Sequence, residues 1–118
     1  MSNYHEPMEL LDEKARNISR ALNSLKEEVE AVDWYNQRVV ASQDPALKEI
    51  MAHNRDEEIE HACMTLEWLR RNMDTWDEEL RTYLFTEGSI TAAEEGAEGG
   101  GAPGTPEKSG LNIGNMKE

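Results

Sequence analysis

Three polar side chains stand where the pattern calls for apolar ones. Glu28 falls on the row Ala21, Leu25, Glu28, Val32, Tyr35 and Val39, whose spacings of three and four mark one face of a helix. Glu58 and His61 fall on a second row that runs from Leu47 through Ile50, Met51, Asn54, Glu58, His61, Thr65 and Leu66 to Leu69. A carboxylate on such a face loses hydration and needs a cation or a hydrogen-bonded partner. Glu58-x-x-His61 sets a carboxylate and an imidazole side by side on one helix face. The motif alone is weak in a glutamate-rich chain; its placement gives it weight. One Glu from one helix and Glu-x-x-His from the next make half of a carboxylate-bridged two-metal site. Oxygen and nitrogen ligands without thiolate suit iron, manganese or zinc. The same placement also suits a coiled-coil seam, where Glu sets register and His is a paired core residue. Spacing alone leaves both readings open, along with plain surface placement.

The neighbours add to the chemistry. Glu27 and Glu30 lie three apart on a flank beside Glu28. They could pass a divalent cation inward, or simply form a solvated acidic face. Tyr35 lies seven residues after Glu28, two turns on along the same row. It could hydrogen-bond a ligand or donate an electron, and core packing explains it equally well. Trp34 reads as packing. His53, eight residues before His61, falls roughly on the same side and is a further candidate for touching metal. Cys63 reads as a small buried hydrophobe.

These residues need helices to position them. A first helix is expected from near Pro7 to Ser42, about 50 Å long at 1.5 Å per residue. Pro7 suits a first turn, where its missing N–H costs nothing. Ile18, Leu22, Leu25, Val29, Val32 and Val39 supply its apolar face. Asp44-Pro45 then ends one helix and starts the next, Asp44 as N-cap and Pro45 at the first position. The second helix is expected over about Pro45 to Asn72. A short third, about Asp74 to Phe85 with Asp74 as its cap, carries Trp76, Leu80, Tyr83 and Leu84. No segment alternates with period two. The predicted fold is all-α, an antiparallel two-helix hairpin plus a short C-terminal helix. Such a hairpin buries too little apolar area to be comfortable alone. Pairing two hairpins into a four-helix bundle supplies the missing core, and its two-fold axis supplies the missing half of the ligands.

Composition agrees. The chain has 118 residues, one domain's worth, with 25 acids against 12 bases and a net charge of −13. That charge repels phosphate backbones, which argues against a nucleic-acid binder, and attracts cations. The single cysteine excludes an internal disulfide. No apolar run approaches the roughly 20 residues of a membrane span, and the first residues lack the apolar core of a signal peptide. A cytoplasmic location is expected. Residues 1–90 read as the helical domain and 91–110 as a flexible Gly/Ala/Glu/Pro linker, with five of the eight glycines between Gly96 and Gly104. Residues 111–118 form a terminal peptide in which Leu111, Ile113, Gly114 and Met116 suit docking, extended, into a groove.

Several stretches together resemble the encapsulated ferritins. Glu27-Glu28-Val29-Glu30-Ala31-Val32-Asp33-Trp34-Tyr35 is similar to their first-helix motif. The second-helix motif resembles His53-Asn54-Arg55-Asp56-Glu57-Glu58-Ile59-Glu60-His61-Ala62. Thr65 to Arg71 and Leu80 to Phe85 extend the likeness, which covers nearly all of residues 5–95. The resemblance implies a half-ferritin fold in which two chains complete a ferroxidase centre holding two irons per dimer interface. It further implies five such dimers in an open ring inside an encapsulin shell. By this likeness Glu28, Glu58 and His61 are the iron ligands, and Glu27 and Glu30 form an acidic metal-attraction site outside the centre. Trp34 and Tyr35 then sit near the metals. The terminal peptide resembles an encapsulin cargo-loading sequence, with Asn115 and Met116 as mild departures; by itself so short a signal is weak, and an inert disordered tail is the alternative. The expected activity is oxidation of Fe(II) to Fe(III) for storage within the shell. A ligating His61 must be neutral. A non-catalytic, metal-stabilised helical cargo or scaffold is the alternative, and a plain acidic adaptor without metal is a third.

Overall fold

The computed structural model describes residues 4–100. It is all-helical, and no strand occurs among the described residues. A 3-10 turn at Met8–Leu10 precedes four helices: α1 (Glu13–Ala41), α2 (Pro45–Asn72), α3 (Asp74–Tyr83) and α4 (Ile90–Gly100). The described residues divide into two compact units, one up to Asp74 and the other from Thr75 on. Among the described residues no helix is long and apolar enough to cross a membrane.

The first unit is the hairpin of α1 and α2. Pro7 starts only the 3-10 turn; Leu11 is extended, and α1 begins after Asp12. This corrects the expected start at Pro7. The physical reason is a better cap, since the Asp12 carboxylate accepts the Ala15 N–H at 2.8 Å. Arg16 donates to the Met8 carbonyl at 2.8 Å and ties the turn to α1. At the far end the Ser42 N–H closes on the Arg38 carbonyl at 3.0 Å.

Asp44 behaves as expected. Its Oδ1 accepts from Ala46 N at 2.9 Å and Leu47 N at 3.3 Å, with Pro45 at the first helical position. Ser42 Oγ accepts the Asp44 N–H at 3.2 Å and sets the link between the helices. So short a connection turns α2 back antiparallel on α1. Two side-chain bonds fix the register across the pair. Arg55 Nη1 donates to Asn36 Oδ1 at 3.0 Å, and Thr65 Oγ1 donates to Glu28 Oε2 at 3.4 Å. α2 ends where the Met73 N–H reaches the Leu69 carbonyl at 2.9 Å.

Leu69 is the one fully buried side chain among the described residues. Leu25, Val32 and Val39 are only half-buried, and Leu22, Val29, Ile50, Met64 and Trp68 are exposed. A lone hairpin therefore leaves large apolar side chains in water along both helices, an arrangement that favours association.

In the second unit α3 is shorter than expected. Asp74 is its first helical residue rather than its cap, and the helix stops at Tyr83 instead of Phe85. Phe85 sits at φ 60°, in the left-handed region that stops a helix, just past the Leu84 N–H to Leu80 carbonyl bond of 2.9 Å. An Asp77–Arg81 pair at 2.9 Å supports α3. Gly88, at φ 86°, makes the turn that follows. In the first part of the expected linker at 91–110, α4 occupies Ile90–Gly100. Ser89 caps it, accepting the Ala92 N–H at 3.2 Å, and alanine and glutamate carry the first turns. Residues 101–110 of that linker, and the terminal peptide with Leu111, Ile113, Gly114 and Met116, lie outside the described residues.

Candidate metal centre

The two cross-helix bonds bracket the polar residues of interest. Between Asn36 and Glu28 on α1 lie Tyr35 and Val32; between Arg55 and Thr65 on α2 lie Glu58 and His61. Helical spacing puts Glu58, His61 and Thr65 on one stripe of α2.

Glu58 and His61 meet as their spacing requires. His61 Nδ1 stands 3.6 Å from Glu58 Oε1, too far for a good hydrogen bond. The Glu58 side chain is 28% exposed and that of His61 47%, so both remain open to a ligand from outside the chain. One turn on, the Thr65 hydroxyl lies 3.1 Å from the His61 carbonyl and 3.4 Å from Glu28 Oε2. Glu28 is thereby held beside the His61–Thr65 turn of α2.

Glu28 is the most telling member. Its Oε1 is buried and has no hydrogen-bond partner among the described residues. An unsatisfied buried acceptor costs roughly 1–3 kcal/mol, more when charged. A cation or a donor from another chain would remove that cost. The carboxylate and imidazole donor set fits an iron, manganese or zinc ion. Among the described residues, no group of three or more His, Cys, Asp or Glu stands close enough to hold a metal ion. The chain thus presents Glu58 with His61, and Glu28 one turn along, as an open set rather than a closed cage.

The other candidates are placed as follows. Glu27 and Glu30 are exposed on α1, flanking Glu28 in sequence. Tyr35 is half-buried, and the Arg38 guanidinium lies 5.2 Å from its ring centroid, a cation–π contact. Trp34 is half exposed rather than packed within the hairpin. His53 is exposed and pairs with Glu57 on its own helix, Nε2 to Oε2 at 3.2 Å. Cys63 is exposed, which corrects the expectation of a buried hydrophobe. It lies on the outer side of α2, in an open groove with Glu60, Met64, Glu67, Trp68 and Arg71. Beside it Glu67 takes Arg70 Nε at 2.8 Å and Arg71 Nε at 2.7 Å, and these hydrogen bonds lower its pKa to about 2.

Thr65 is the residue that sequence reasoning left without a role. Its signal was present, a hydroxyl on the same row as Glu58 and His61.

Comparison with known proteins gives a consistent result. The family model described as EncFtn-like matches residues 3–87. An encapsulated ferritin-like protein of Rhodospirillum rubrum is 60% identical over 121 aligned positions, which cover 96% of this chain and 86% of that protein. A ferritin-like protein of Thermotoga maritima is 63% identical over 97 residues, 82% of this chain and 85% of that one. Among solved structures, the crystal structure of protein ne0167 from Nitrosomonas europaea is similar with a TM-score of 0.73 and 55% identity. It covers 75% of this chain and 99% of that one.

Proposed function

The chain belongs to the EncFtn-like family, and on that premise we propose that it is a ferroxidase whose two-iron centre forms between two chains. The observation that carries this reading is the buried, unpaired Oε1 of Glu28 on the α1 face that meets the His61–Thr65 turn. A carboxylate kept in that state is preorganised for a cation.

In this reading two hairpins pair through their exposed apolar rows into a four-helix bundle. Each contributes Glu28, Glu58 and His61, so two Fe(II) ions are held between two-fold-related chains. The carboxylates of Glu28 and Glu58 and the imidazole of His61 would be the ligands. Four carboxylates offset the charge of the ions and favour the ferric state. Each Fe(II) gives up one electron, and dioxygen or peroxide accepts the pair. Exposed Glu27 and Glu30 draw Fe(II) toward the centre, a role their carboxylates suit whatever the final route. Tyr35, which lies on α1 between the two cross-helix bonds, serves the centre as a hydrogen-bonding or electron-donating neighbour.

The product is ferric iron for storage, and the similar protein of R. rubrum is described as encapsulated. We place this chain likewise inside an encapsulin shell of the cytoplasm, engaged through Leu111, Ile113, Gly114 and Met116. Its assembly in this reading is a ring of five dimers. Aerobic Fe(II) oxidation by the full chain tests the proposal: saturable oxidation must appear, and His61→Ala must lose it. Full oxidation by His61→Ala would remove the ligand assignment.

A further inference from the structure

We propose that Thr65 is a positioning residue for Glu28, fixing one carboxylate oxygen so that the other is free for metal. The proposal rests on the ferroxidase reading of Glu28 and deepens it.

The two oxygens of Glu28 are inequivalent. Oε2 faces the Thr65 hydroxyl at 3.4 Å, while Oε1 is buried without a hydrogen-bond partner among the described residues. A glutamate on a helix has three rotatable bonds and several ways to turn its head. The Thr65 hydroxyl comes from the facing helix and selects one of them. Thr65 is β-branched, which limits it on a helix to two χ1 rotamers, one of them bonded back to the carbonyl of the preceding turn. Its Oγ1 also donates to the His61 carbonyl at 3.1 Å, so its one proton is shared between that carbonyl and Glu28 Oε2 at 3.4 Å. Thr65 therefore joins two candidate ligands: it touches the side chain of Glu28 and the backbone of His61. A single hydroxyl proton serves either acceptor, so Thr65 follows any change in the charge or position of the carboxylate. Hydrogen bonds of this kind to ligating carboxylates orient the ligand and strengthen the site.

The test uses Co(II), which is stable in air and reports its ligand field by visible absorption. The full chain is titrated as wild type, Thr65→Val, Thr65→Ser and Glu28→Ala, with melting curves of each metal-free protein. Valine keeps the branched shape and removes the hydroxyl, and a back-bonded threonine contributes little to helix stability. The expected result is Co(II) affinity about 10-fold weaker for Thr65→Val with a changed visible spectrum. Thr65→Ser, which restores the hydroxyl, binds within about twofold of wild type. Thr65→Val binding like wild type while Glu28→Ala fails to bind would overturn the positioning role and leave the metal reading intact. So would serine failing to rescue. Binding untouched by Glu28→Ala would sink the metal reading itself, and the role of Thr65 with it.

Discussion

The Thr65 hydroxyl and Glu28 Oε2 meet at 3.4 Å across 37 residues of chain, joining α2 to α1 beside His61. One turn beyond Thr65 on the same stripe lies Leu69, fully buried. The polar and apolar halves of that stripe are therefore adjacent, and the packing of one holds the geometry of the other.

Leu69→Ala tests that dependence. Removing the most buried side chain of the hairpin is expected to cost about 2–5 kcal/mol. Thermal unfolding of the metal-free chain measures it, and an unchanged melting temperature would mean that the hairpin is not packed on Leu69.

The Glu67 clamp has a defined pH signature. Its carboxyl is held at about 2 in the folded chain by hydrogen bonds from Arg70 and then Arg71, against an ordinary 4.5. A depressed folded pKa contributes stability that is present above pH 4.5 and lost as pH falls toward 2. The side chain is 40% exposed, so solvent screening keeps the contribution to at most about 1 kcal/mol. Glu67→Gln is thus expected to melt slightly below wild type at neutral pH, with the gap closing in strong acid. A gap that widened in acid would contradict the clamp.

Association is the next consequence of the thin core. With Leu22, Val29 and Trp68 exposed in a single hairpin, the folded state is expected to be stabilised by a second copy. Melting temperatures across a protein dilution series should rise with concentration. A melting temperature independent of concentration, with a monomeric mass in sedimentation, would argue against the paired hairpin.

The terminal peptide should separate cleanly from the chemistry. Deleting residues 109–118 is expected to abolish co-purification with a co-expressed encapsulin shell while Fe(II) oxidation persists. Continued loading of the truncated chain would place the shell contact elsewhere.

Much of this was legible in the residues themselves. Asp44-Pro45 defines the start of α2 because cap and proline act locally, and α2 runs over the expected span. The row through Ala21, Leu25, Glu28, Val32, Tyr35 and Val39 is half-buried throughout, as its period requires. What escaped was decided by competition between neighbours. Pro7 and Asp12 both offer helix starts, and the Asp12 side chain wins by satisfying the Ala15 N–H. Ser89 starts α4 in a stretch whose glycines had marked it as linker. Phe85 ends α3 by its backbone conformation, which an aromatic residue does not advertise. Cys63 faces outward because α2 has only one neighbour within the hairpin, so apolar character alone does not bury a side chain there. The Thr65–Glu28 contact depends on the register between helices, which neither row contains by itself.

The proposed activity rests on Glu58, with Glu28 and His61, forming an iron-oxidising centre shared between chains. The most direct measurement is aerobic Fe(II) oxidation followed by ferric absorbance, with Glu58→Ala beside wild type and sedimentation of both. Wild type is expected to oxidise Fe(II) fast and saturably, and Glu58→Ala to lose that activity at unchanged helicity. Oxidation no faster than buffer, or an equal rate in Glu58→Ala, would contradict it.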